Sequence, residues 1–92
     1  MTPLKLKPKP KLKPKPKLKL FGREDCRLCE YAAEALHAVL AEDQWQTVDI
    51  AEQAELVARY GVRIPVLADA EGRELDWPFD AYMVKLWLQG QN

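Results

Sequence analysis

The sequence predicts one small α/β domain in the order β-α-β-α-β-β-α, with a four-stranded mixed sheet flanked by helices. Three observations carry this. A chain of 92 residues, 48% of them apolar, has room for one modest core. From Leu28 the apolar positions 28, 32, 35, 36, 39 and 40 recur at helical spacing directly after a short apolar run. Asp69-Ala70-Glu71-Gly72 lies between two short strand-like segments, with a glycine available for positive φ, and reads as a hairpin turn.

In chain order, a first strand is expected over about Lys17 to Phe21, with Leu18 and Leu20 on one face and Gly22 ending it. The loop Arg23-Glu24-Asp25 leads into a helix expected to end near Ala41 or Glu42. Gln44 to Asp49 reads as the second strand. Asp49 with Glu52 fits a variant of the capping box, opening a helix through about Tyr60, where Gly61 stands as terminator. Val66–Ala68 and Arg73–Leu75 form the hairpin. Asp80 caps the last helix, Phe79 and Val84 staple across that cap, and Met83, Val84, Trp87 and Leu88 form its buried stripe until Gly90. A helical crossover makes the first two strands parallel, and the hairpin makes the last two antiparallel. Trp45, Trp87, Tyr31 and Tyr60 are expected to be packing residues.

The formal net charge of zero conceals an asymmetry. Every odd position from Lys5 to Lys19 is lysine, whereas the chain from Phe21 on holds six basic and fourteen acidic residues, a net of −8. Residues 7–18 read KPKPKL twice, and prolines at 8, 10, 14 and 16 exclude a central strand there. The chain therefore divides into a low-complexity Lys/Pro/Leu tail, residues 1–16, and a domain, residues 17–92. Such an arm suits nucleic acid, acidic lipid or an acidic protein surface, although it has no aromatic residue for stacking on bases. A repeat expansion without a binding role is the alternative. No segment reaches the roughly 18–20 apolar residues of a membrane span. The tail lacks the uninterrupted apolar run of a secretory signal, so a cytoplasmic location and a monomer are expected.

Cys26-Arg27-Leu28-Cys29 carries the chemistry. Two cysteines this close cannot staple a fold, and their spacing points to redox or metal chemistry. At a strand-to-helix junction, Cys26 would meet the unpaired amides and positive end of the helix dipole, which favour a thiolate. Cys29, one turn on, can attack a mixed disulfide on Cys26 and release the bound thiol. Cys26 is therefore expected as nucleophile and Cys29 as the more buried resolving thiol. Arg23 and Arg27 would support the thiolate, and Glu24 and Asp25 would oppose it. A structural zinc site needs four ligands, and the only histidine, His37, falls on the polar face of the helix; no metal is expected.

The CxxC after a first strand, followed about 35 residues later by Ile64-Pro65, resembles the thioredoxin superfamily. The short βαβαββα layout is similar to glutaredoxin. The segments Phe21–Glu30, Arg63–Leu67 and Glu74–Asp80 resemble a family of small bacterial glutaredoxin-like proteins over roughly residues 17–90. This resemblance implies a cis-proline at Pro65 beside the dithiol, exposing the backbone of Ile64 for pairing with a substrate. It implies Arg23 in the cationic role near the cysteines. The insert Arg27-Leu28 departs from the usual Pro-Tyr pair, and Trp77-Pro78-Phe79 stands where glycines commonly hold glutathione. Trp77 would either wall a groove over Cys26 or cover the core.

The expected function is a thiol–disulfide oxidoreductase acting on a disulfide-bearing protein or a small thiol. Catalytic residues would be Cys26 and Cys29, and substrate-binding residues Ile64, Pro65, Arg23, Arg27 and Trp77. No cofactor is required, and glutathione or a reductase would supply electrons. Two rivals are a redox-sensitive binding module with negligible turnover and association with nucleic acid or membrane through the lysine arm.

Overall fold

The computed structural model describes residues 17–90; the basic arm lies outside them, together with the partner expectations attached to it. Four strands, β1 (Leu18–Gly22), β2 (Trp45–Asp49), β3 (Val66–Ala68) and β4 (Glu74–Asp76), form one sheet in the order β2-β1-β3-β4. β1 runs parallel to β2 and antiparallel to β3, and β4 completes the antiparallel hairpin, as the connections require. Three helices, α1 (Arg27–His37), α2 (Ala54–Tyr60) and α3 (Ala81–Leu88), complete the expected βαβαββα order.

Strand alternation divides the interior into two layers. Leu18, Leu20 and Leu67 pack with Ala32 and Leu36 of α1 and with Phe79, Val84 and Trp87 around α3. Phe21, Val66 and Ala68, on the other face, pack with Ile50 and Tyr60, with Leu56 and Ile64 at the margin. Tyr60 stacks on Phe21 with ring centroids 4.3 Å apart, anchoring the end of α2 over the central strand. Among the described residues, no helix is long and apolar enough to cross a membrane.

Several boundaries differ from expectation for local reasons. Gly22 belongs to β1, where it pairs with Asp49, and does not end the strand before itself. α1 ends at His37, because the Leu36 carbonyl accepts from both Val39 and Leu40 N–H and tightens the last turn. Val39 and Leu40 still pack on the core, so apolar periodicity outlasts the helix. Asp49 caps only a 3₁₀ turn over Ile50–Glu52, accepting from Ala51 N–H at 2.9 Å. Gln53 is extended, and α2 starts after it. Gly61 follows α2 with φ −53°, so no left-handed turn is used there. A Cβ at Gly61 would instead lie 2.6 Å from the Val57 carbonyl oxygen. Asp80 caps α3 as expected, accepting from Met83 N–H at 2.9 Å.

Three residues expected to be buried are exposed: Leu28 (44%), Tyr31 (47%) and Met83 (42%). Leu28 shares its helical face with Ala32 and Leu36, which are fully buried. The stripe is thus covered from Ala32 onward and uncovered in the first turn. Leu36→Ala should leave a cavity between α1 and the sheet and cost about 2–5 kcal/mol, measured as a lower urea midpoint with unchanged slope. A loss below about 0.5 kcal/mol would mean that this layer does not carry the fold.

Candidate active site

The central strand delivers the cysteines. β1 ends at Gly22, and a turn at Glu24-Asp25 redirects the chain into α1. Asp25 has φ 60°, a left-handed conformation that aspartate tolerates better than most side chains. That turn leaves Cys26 as the N-cap of α1, with its Sγ accepting the Cys29 N–H at 3.1 Å. A sulfur thus takes the place of the usual capping oxygen. The helix N-terminus directs an amide and the dipole toward Cys26 Sγ, which favours negative charge on it when the bond to Cys29 is open.

Cys26 and Cys29 are joined in a disulfide, with Cα atoms 5.2 Å apart, and both are half-buried. The bond lies in the wall of a cavity of about 450 Å³ between α1 and β2. Arg23 lines it from the β1–α1 turn, together with Gly22 of β1 and Ala33 of α1. Five carboxyl-bearing residues also line it: Glu24, Asp25, Glu30, Asp49 and Glu52. The cavity is therefore strongly acidic, with one arginine against five acids.

Of the expected substrate-binding residues, only Arg23 shares this cavity with the cysteines. Arg27 is exposed on the first turn of α1 and reaches Glu30 at 3.9 Å. Ile64, Pro65 and Trp77 form a second group. The register Phe21↔Val66, continued by one residue, sets Pro65 opposite Gly22 at the cysteine end of the sheet. Ile64–Pro65 and Trp77–Pro78 are both cis, and Trp77 N–H donates to the Pro65 carbonyl at 3.2 Å. Pro65 is fully buried, and Ile64 packs into the α2 layer. Trp77 is half-buried against the opposite layer, edge-on to Phe79 with ring centroids 5.2 Å apart, so it covers the core.

Sequence reasoning missed the far wall of the cavity, formed by Thr47, Val48, Asp49 and Glu52. Asp49 had a signal only as a cap. Its position beside Gly22 follows from the parallel register of β1 and β2.

An ionic clamp fixes the loop before Pro65. Arg63 donates to Asp76 Oδ1 at 2.7 Å and Oδ2 at 3.1 Å, and to Glu74 Oε1 at 2.6 Å. Tyr60 Oη donates to Glu74 Oε2 at 2.7 Å, and Arg59 joins the same oxygen at 3.0 Å. The hydrogen bonds from Arg63 and Tyr60 hold the Glu74 carboxyl below the usual glutamate range. Burial, then the bond to Glu74, pushes the Tyr60 hydroxyl up. At the hairpin, burial alone would raise Asp69, but hydrogen bonds from the Arg73 side chain and from Arg73 and Glu71 N–H prevail and lower it.

Comparison with known proteins gives a consistent family. The family model described as "Glutaredoxin-like domain (DUF836)" matches residues 17–89. The X-ray structure of protein XcR50 from X. campestris is 45% identical with a TM-score of 0.72, covering 82% of this chain and 99% of that one. Its solution structure is similar at 44% identity and a TM-score of 0.67, covering 83% and 96%. Protein Ne2328 from Nitrosomonas europaea is 25% identical with a TM-score of 0.65, covering 86% and 98%. No curated protein matches the chain.

A carboxyl lowered by folding binds fewer protons in the native state, so its contribution to stability is complete above the ordinary glutamate range and is lost as pH falls through the native value. Glu74→Gln should therefore cost about 1 kcal/mol near neutral pH, with the difference from the parent chain closing as pH falls through and below the ordinary glutamate range. Urea unfolding across that range measures it. Parallel stability–pH curves for the two chains would refute the clamp.

Proposed function

The chain belongs to the glutaredoxin-like domain family (DUF836), and from that premise we propose that it is a thiol–disulfide oxidoreductase working through Cys26 and Cys29. The observation that carries this reading is the Cys26 sulfur at the N-cap of α1, bonded to Cys29 in the wall of an open cavity. A redox pair needs a first sulfur that is accessible and stabilised as an anion, and a second within reach of it.

In the reducing direction, Cys26 thiolate attacks one sulfur of the substrate disulfide. A mixed disulfide forms and the first substrate thiol departs. Cys29 then attacks Cys26 Sγ, the second substrate thiol leaves, and the protein is left with the Cys26–Cys29 bond. Two electrons and two protons pass from the dithiol to the substrate. The Pro65 loop, set beside Gly22 by continuing the register one residue past Phe21↔Val66, would offer the Ile64 carbonyl to an extended substrate segment, the Ile64 N–H being donated to the Tyr60 carbonyl at 3.0 Å. A reducing compartment such as the cytoplasm suits this direction, because it returns the pair to the dithiol.

Cys26→Ser should reduce disulfide reductase activity to the uncatalysed background. Cys29→Ser should accumulate a mixed disulfide on Cys26, visible as a mass increase removed by dithiothreitol. Full activity in Cys26→Ser would defeat the assignment.

The acidic cavity also selects by charge. Glutathione disulfide brings more carboxylates than ammonium groups and is opposed; a cationic disulfide is attracted. Cystamine should be reduced with kcat/KM on the order of tenfold above that for glutathione disulfide at low ionic strength, the ratio narrowing as salt screens the field. A ratio at or below one, insensitive to salt, would remove the electrostatic role of the cavity.

A further inference from the structure

We propose that Gly22 is a positioning residue for the Cys26–Cys29 pair, its missing side chain making room for the disulfide but not needed by the dithiol. This inference rests on the redox reading above and concerns the balance between the two states of that site.

Glycine is an unfavourable choice inside a strand, because it gives up more backbone freedom on folding than alanine does. The usual reason for tolerating it is backbone conformation. Among the described glycines, positive φ occurs at 72 and 90, and Gly22 is not one of them. It is the buried last residue of β1, in regular register with Asp49. Backbone geometry therefore does not demand glycine there.

Space does. A Cβ at Gly22 would stand 2.8 Å from Cys29 Sγ and 3.3 Å from Cys29 Cβ. The first distance is closer than non-bonded carbon and sulfur tolerate, so one of them must move. Whether it can move depends on redox state. In the dithiol, Cys29 Sγ is the free end of a short side chain and can turn to another rotamer. In the disulfide that sulfur is bonded to Cys26, whose backbone is fixed as the N-cap of α1. The added methyl group thus penalises the disulfide and leaves the dithiol an escape. In the equilibrium in which the protein disulfide takes two electrons and two protons from two glutathione thiols, leaving glutathione disulfide, the balance shifts toward the protein dithiol.

The test is redox titration of the full chain and of Gly22→Ala in glutathione/glutathione disulfide buffers, read by thiol alkylation and mass, with urea unfolding of both redox forms. The expected result is at least a tenfold shift toward the dithiol in Gly22→Ala, equivalent to a potential about 30 mV less negative. The oxidised form should lose more stability than the reduced one. Gly61→Ala is the control: its Cβ would meet a backbone oxygen of Val57, which moves with neither redox state, so it should weaken both forms alike and leave the titration unshifted. An unshifted titration in Gly22→Ala, or equal destabilisation of its two forms, overturns this inference alone. A parent chain that forms no Cys26–Cys29 bond in these buffers overturns it together with the redox reading.

Discussion

The structure depends on β1 lying at the centre of the sheet with both neighbours hydrogen-bonded to it. It pairs with β2 along its whole length and with β3 from Lys19 to Phe21. Leu18 and Leu20 enter one core layer and Phe21 the other, so the strand is held from both faces as well as both edges. Its last residue, Gly22, is consequently a fixed point. From it the turn through Asp25 sets Cys26 at the start of α1, Asp49 stands beside it, and Pro65 falls opposite. The Cys26 sulfur is positioned here by a rigid element and a short turn, and needs no long flexible loop.

Around that point the two flanks differ. On the α1–β2 side lies an acidic cavity with one arginine; on the other side the Pro65 and Trp77 backbones are tied together, and the Arg63–Asp76–Glu74 clamp secures the segment entering Pro65. The clamp joins the end of α2 to the edge strand β4, so the loop beside the cysteines is braced from outside the cavity. A substrate would meet a preformed backbone on one side and a negative field on the other. In the proposed reaction the first would contribute geometry and the second selection by charge.

Much of this was legible in the sequence, and the residues show why. The CxxC, the hairpin glycine at 72 and the Asp80 cap are local patterns whose chemistry acts over three or four residues, and each is found where that chemistry puts it. The mixed sheet followed from connection rules. The side of the cavity formed by Thr47, Val48, Asp49 and Glu52 was not legible, because it exists only once β2 is registered against β1. Leu28, Tyr31 and Met83 were misread for a related reason. Helical spacing fixes the direction in which a side chain points, but not whether anything lies opposite it at that height. Ala32 and Leu36 have the sheet and α3 against them, whereas Leu28, one turn earlier, does not.

The central claim is that Cys26 and Cys29 are a working redox couple and not a structural crosslink. Their reduction potential tests it most directly. A working couple should show a reversible two-electron equilibrium between about −200 and −270 mV, the range of glutaredoxins and thioredoxin. A potential below about −300 mV, typical of a structural disulfide, would contradict it.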